Sequence, residues 1–170
     1  APLIANAGFR PCAFSIPVGN PPGTLAEMQA QLNAIAPALR VCKQYGGAWS
    51  YHSYTILYTT DVNVELWYSL RYRQFYDAFA TAHPDLLDLP IIFTEGGVDG
   101  QTGPEGPGWM GGGDAAKYQN WLDWHDARMR EDPQVLGCTL FQTGSPGWTS
   151  FNIDPIAPWL VSHLNSIPFG

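Results

Sequence analysis

Positive charge is scarce in this sequence. Eight Lys and Arg face fifteen Asp and Glu, giving a formal net charge of −7, and charged residues make up only 14% of the chain. No basic run exists, which excludes the phosphate-neutralising surface that a nucleic-acid partner needs. Low charge with 45% hydrophobic residues also excludes a disordered chain. No apolar stretch reaches the length of a membrane span, so no membrane partner is expected. The opening Ala1-Pro2-Leu3 has neither the charged region nor the apolar run of a secretory signal. Cysteine is rare and odd in number: Cys12, Cys42 and Cys138 are too widely spaced for a zinc pattern or a disulfide framework. Their apolar neighbours predict buried free thiols. The serine-nucleophile elbow G-x-S-x-G is also missing, since Thr143-Gly144-Ser145-Pro146-Gly147 does not fit it.

What the sequence does have is enough apolar residues for one core in 170 residues, hence one domain. It is also rich in aromatics, with seven Trp, eight Tyr and eight Phe. More than half belong in the core, but several lie in loop-like segments, where an aromatic face in a cleft can stack on the apolar C–H face of a sugar.

Four short apolar, β-rich runs recur at intervals of roughly forty residues: Phe9–Val18, Ala48–Thr55, Leu89–Thr94 and Val135–Gln142. Each is followed by a polar, Gly/Pro-containing stretch and then a helical pattern. That alternation predicts four βα units in an α/β fold with a parallel sheet. Thr24 and Glu27 form a capping box ahead of Met28, Leu32, Ile35 and Leu39, and Pro37 should kink that helix. A second helix is expected from about Asn63 to Ala82, ending before Pro84. A third follows Asp114, with Tyr118, Trp121, Leu122, His125 and Met129 on one face, and stops at Asp132-Pro133. A fourth opens with Asp154 as its cap and Pro155 at its first position, then carries Ile156, Leu160 and Leu164.

Parallel α/β folds carry their sites at the carboxyl ends of strands. The third run reads Leu89-Pro90-Ile91-Ile92-Phe93-Thr94-Glu95-Gly96-Gly97, placing a carboxylate at a strand end before two glycines that permit a sharp turn and a close approach. Glu95 can serve as a nucleophile, cap the next loop or bind a metal. A metal would need further carboxylate or His ligands converging there, and the pattern offers none, so neither metal nor organic cofactor is expected. The second run ends Trp49-Ser50-Tyr51-His52-Ser53-Tyr54, and alternation puts His52 and Tyr54 on one face. A Tyr hydroxyl donating to a carboxylate keeps it ionised, as a nucleophile requires; a satisfied core His and Tyr fit the same pattern. The fourth run ends Leu140-Phe141-Gln142-Thr143-Gly144, with Trp148 following as a sugar platform or a loop anchor. Gly96–Gly113 resembles a functional loop, within which Trp109 is placed to close over a substrate and Asp99 to contact sugar hydroxyls.

The order of an H-x-Y strand end, an Ile-Ile-Phe-Thr-Glu-Gly strand and a strand followed by an aromatic loop resembles strands six, seven and eight of clan A glycoside hydrolases. Phe9–Pro22 then resembles strand five and its loop, so the likeness covers nearly the whole chain. It implies a (β/α)8 TIM barrel. It also implies Glu95 as the nucleophile at the end of strand seven, with His52 and Tyr54 contacting it. Trp148 would floor the sugar site, with Gln142 and Trp109 as further substrate contacts. The implied reaction is retaining double-displacement hydrolysis of an oligo- or polysaccharide, with an extracellular or cell-surface setting slightly favoured.

The likeness is incomplete. A full barrel takes about 250 residues and eight strands, whereas only four βα units are read here. The family's acid/base glutamate stands in an Asn-Glu pair ending strand four, and this chain has no Asn-Glu dipeptide. Retaining hydrolysis needs two carboxyl groups about 5–5.5 Å apart. Asp61, Glu65, Asp99, Glu105 and Asp114 lie in loops or at helix starts, from which any of them could reach the site, but they are read first as helix caps or solvated loop charges. A half-barrel has two open sheet edges and an uncovered face. It implies a partner: an N-terminal half-barrel, from the same precursor or a separate chain, or a second copy meeting it edge to edge. By itself the chain is expected to be inactive or very weak. The competing reading is a non-catalytic carbohydrate-binding or structural half-barrel in a larger assembly. Arg71 and Arg73 are expected to brace the fold or pair with Asp77. His83 and His163 are expected at exposed helix ends, and His125 packed in the core.

Overall fold

A computed structural model describes residues 1–100 and 107–167. A short helix α1 (Pro2–Asn6) precedes strand β1 (Cys12–Ile16), then α2 (Leu25–Gln44) and β2 (Ala48–Thr55). Two helices, α3 (Val62–Glu65) and α4 (Tyr72–Ala82), lead to β3 (Ile91–Val98). Next come α5 (Trp109–Gly112), α6 (Ala115–Met129), β4 (Val135–Leu140) and α7 (Ala157–Ser166). The strands form one sheet in the order β1-β2-β3-β4, and each neighbouring pair is parallel. The fold is therefore α/β, with helices returning the chain between successive parallel strands.

One face of the sheet is covered by helices. Trp49, Tyr51, Ile91 and Phe93 point into a core shared with Met28, Leu32, Ala36 and Leu39 of α2 and Tyr72, Phe75 and Phe79 of α4. Trp49 lies 5.5–6.0 Å from the rings of Phe75, Tyr76 and Phe79 and donates its indole N–H to the Tyr76 hydroxyl at 3.0 Å. A second cluster under α6 gathers Val98, Trp109, Tyr118, Trp121 and Ile156.

The capping signals at Thr24 and Asp114 act as the sequence implies. The Thr24 hydroxyl accepts from the Glu27 amide, and the Glu27 carboxylate accepts from the Thr24 amide at 2.7 Å. At α6, Asp114 accepts from the Lys117 amide at 2.8 Å. Replacing Asp114 by Ala should therefore cost about 1 kcal/mol, and Asn, an equally good cap, should cost little. Urea unfolding of the two variants checks this; equal losses for Ala and Asn would contradict it.

Several elements depart from the sequence pattern. The helix that contains Pro37 is a single span, with Pro37 on its exposed side and the buried stripe passing beside it. The expected helix over 63–82 is broken instead. The buried Glu65 carboxylate takes the Ser69 amide at 3.2 Å and the Ser69 hydroxyl at 2.6 Å, so the side chain replaces the carbonyl that a continuing helix would offer. The last helix is preceded by a turn of 3-10 helix, Asp154–Ile156, so Asp154 does not cap α7 directly. β3 begins later than expected and runs past Glu95 to Val98. All three cysteines are free, but only Cys42 is buried; Cys12 is exposed because it opens an edge strand.

Candidate active site on the open face of the sheet

Two irregularities in the sheet decide what stands beside His52. Along β2 and β3, Tyr51 pairs with Phe93 and His52 with Glu95, so β3 spends two residues where β2 spends one. Thr94 is the extra residue of a bulge. Strict alternation would put Glu95 on the face of Phe93, under the helices, where an unpaired carboxylate is costly. The bulge re-aims Glu95 to the other face, next to His52. On the other flank, Ala13 pairs with Trp49 and Ile16 with Tyr51, three residues against two. Phe14 takes φ +65° there, a left-handed conformation uncommon for a bulky side chain. That second irregularity brings Ser15 to His52.

The result is a line of polar contacts across three strands. Ser15 Oγ lies 2.6 Å from His52 Nε2, and His52 Nδ1 lies 3.3 Å from Glu95 Oε2. The Tyr54 hydroxyl donates to the same Glu95 Oε2 at 3.0 Å. Burial first, and then the facing Glu95 charge, raise the Tyr54 pKa well above the ordinary phenol value, so Tyr54 stays a donor. Among the described residues, Glu95 Oε1 takes no hydrogen bond. One carboxylate oxygen is held, and no described residue donates to the other.

The remaining sequence candidates divide. Trp148 is half exposed and packs edge-on against Phe141 at 5.6 Å, and Phe141 packs against Tyr54 at 6.5 Å. Trp148 is therefore linked to the Glu95 group through Phe141. Gln142 is used inside the same loop: its amide donates to the Trp148 carbonyl at 3.1 Å, and its carbonyl accepts from the Ser145 amide at 3.0 Å. Trp109 is buried, stacks on Tyr118 at 5.0 Å and donates to the Asn152 carbonyl at 3.2 Å, tying its loop to the one after β4.

The other carboxylates mostly serve the fold. Asp61 and Asp114 cap helices, and Glu65 is buried among Thr55 and Ser69. Asp99 is half-buried, with its amide on the Thr55 carbonyl, and burial raises its carboxyl pKa. Glu105 lies outside the described residues. Arg73 bridges to Glu131 and Asp132 across the core rather than to Asp77, and Arg71 donates to the Pro21 carbonyl. His163 is not an exposed helix end: it lies 3.0 Å from Asp123 and stacks on Trp159. His83 contacts Asn33 and Arg40. No group of three or more metal-ligating side chains occurs among the described residues. A depression of about 480 Å3 between the loop after β2 and α6 is lined by Tyr58, Thr59, Thr60, Lys117, Asn120 and Trp121. It includes none of the Glu95 group, which lies on the sheet face itself.

The connectivity of Ser15, His52 and Glu95 is that of a hydrolytic triad, and Ser15 is exposed, but the acid is not buried. In such a triad the acid sits buried behind the imidazole. Here the Glu95 side chain is 39% exposed and His52 19%, so the carboxylate is open to a ligand, as Ser15 is at the other end. Comparison with protein-family models, curated proteins and solved structures found no match.

Proposed function

We propose that this chain is the nucleophile-bearing half of a retaining glycoside hydrolase, acting on an oligo- or polysaccharide. The observation that carries this reading is the Glu95 carboxylate, brought onto the open face by a bulge, with Tyr54 and His52 on one oxygen and the other without a hydrogen bond among the described residues. That is the arrangement a glycosyl nucleophile needs: fixed in direction and open to the anomeric carbon. Glu95 attacks to form a glycosyl ester, an acid protonates the departing oxygen, and water then releases the sugar with the same group acting as base. Trp148 supplies an apolar face for a sugar ring.

The acid comes from a second set of four βα units that completes a (β/α)8 barrel. β1 and β4 each have one strand neighbour, leaving two parallel edges. Exposed apolar side chains gather on the elements flanking both edges: Leu3 and Phe9 before β1, Leu136 on β4 and Val161 on α7, a helix with no buried residue. Open edges with apolar flanks seek partners. A carbohydrate ligand between the halves explains why Glu95 lies on a face rather than in a closed pocket.

Covalent trapping on this chain tests the reading. A dinitrophenyl 2-deoxy-2-fluoroglycoside has a leaving group that departs without protonation, so the missing acid is bypassed, and the fluorine slows release of the ester. Across a panel of pyranosyl donors, at least one should add a single fluorosugar to the chain, mapped to Glu95. Labelling that avoids Glu95, or none with any donor, would favour a non-catalytic carbohydrate-binding module.

A further inference from the structure

We infer that Ser15 is a positioning residue, which anchors the His52 ring in the tautomer that Glu95 requires and through it holds Glu95. No signal in the sequence marks Ser15, and only the skipped residues of β1 place it beside His52. A carboxylate has acceptors and no donor. For the 3.3 Å contact between His52 Nδ1 and Glu95 Oε2 to be attractive, Nδ1 carries the proton. The neutral ring then presents a bare lone pair at Nε2, which only a donor can satisfy at 2.6 Å, and the Ser15 hydroxyl is that donor. In the opposite tautomer the Nδ1 lone pair would face the Glu95 charge, and the Tyr54 hydroxyl would be left as the only donor to Oε2.

The fold spends conformational energy on this contact. Phe14 is held at φ +65°, a conformation disfavoured for a side chain of its kind, and this turn of the strand accompanies the register skip that brings Ser15 to His52. Ser15 has no other side-chain partner among the described residues. The strain is thus tied to one hydrogen bond, and that bond feeds the Glu95 group. The consequence for catalysis rests on the reading of Glu95 as nucleophile, while the tautomer itself does not.

The test is nitrogen NMR on the full 170-residue chain labelled with ring-15N histidine, at a pH where the imidazoles are neutral. The four histidines give separable ring signals, and His52→Gln identifies those of His52. Wild type is expected to show Nδ1 protonated and Nε2 bare. Ser15→Ala should mix the two tautomers, and Ser15→Thr, which keeps a hydroxyl, should restore one. Unchanged signals of His83, His125 and His163 show that the fold is kept. Protonated Nε2 in wild type, or an identical His52 spectrum in Ser15→Ala, would overturn the inference. A second arm measures the rate of Glu95 labelling by the fluoroglycoside. Ser15→Ala should be about tenfold slower, the loss of one hydrogen bond's worth of orientation, with Thr near wild type. Failure of wild-type labelling with the tautomer intact would sink the hydrolase reading alone; an altered tautomer with unchanged labelling rates would sink the positioning role alone.

Discussion

Replacing Glu95 by glycine is expected to abolish turnover by the completed barrel and to make it dependent on an added small anion. The attacking group is removed, so kcat should fall by at least about a thousand-fold even on an aryl glycoside that needs no acid. The fold should survive, because Glu95 is partly exposed and its contacts are two hydrogen-bonding side chains rather than packed core. The glycine leaves a hole between Tyr54 and the sugar, which azide can enter. Azide attacks from the side the carboxylate occupied, no second displacement follows, and the product is a glycosyl azide of inverted configuration. Product analysis by NMR checks this. Full activity in Glu95→Gly without azide, or an azide product of retained configuration, would remove Glu95 from the nucleophile role.

How far the sequence leads to this site can be judged from particular residues. β2 is found at Ala48–Thr55, where the β-rich run places it. Its alternation puts His52 and Tyr54 on one face because no irregularity interrupts it. Glu95 itself is legible as a carboxylate after an apolar run, but not as part of a strand. Gly96 and Gly97 carry no side-chain pattern, and what makes them strand is pairing with Ser53 and Tyr54, a tertiary fact. The bulge at Thr94 is invisible for the same reason, and so is Ser15, which depends on a matching irregularity in another strand. The break between α3 and α4 was hidden because apolar spacing continued through 66–71 while a buried carboxylate, Glu65, captured the backbone. Local periodicity reports which face a residue prefers. It does not report a register skip, and at this site the register skips deliver two of the three polar residues that converge with Tyr54.

Mild acid is expected to destabilise the fold through His125. The ring is buried on the inner face of α6, 4.7 Å from Trp121 and stacked near Trp124 and Phe93, with Nε2 on the Ser53 hydroxyl at 3.0 Å and Nδ1 without a partner among the described residues. Burial, the largest influence, lowers its pKa to about 4; Asp126 opposes this and Arg73 adds to it. In the unfolded chain the same imidazole titrates near 6.5. Above pH 6.5 it is neutral in both states and stability does not depend on it. Below 6.5 the unfolded chain binds a proton that the folded one refuses, so stability falls as pH falls, and the loss levels off near pH 4. At about 1.4 kcal/mol per pH unit, the total is about 3 kcal/mol. His125→Phe keeps an aromatic ring among Trp121, Trp124 and Phe93, and Ser53 still donates to the Ser69 carbonyl at 2.8 Å. Urea unfolding of wild type and His125→Phe from pH 7 to pH 4 measures the difference, in which the titrating carboxylates common to both cancel. Parallel losses in the two proteins would rule His125 out. A loss about 3 kcal/mol larger in wild type would place the acid-sensitive joint at the Ser53–His125 contact. Ser53 lies between His52 and Tyr54 on β2, so the joint that fails in acid is the one that holds α6 against the back of the site strand.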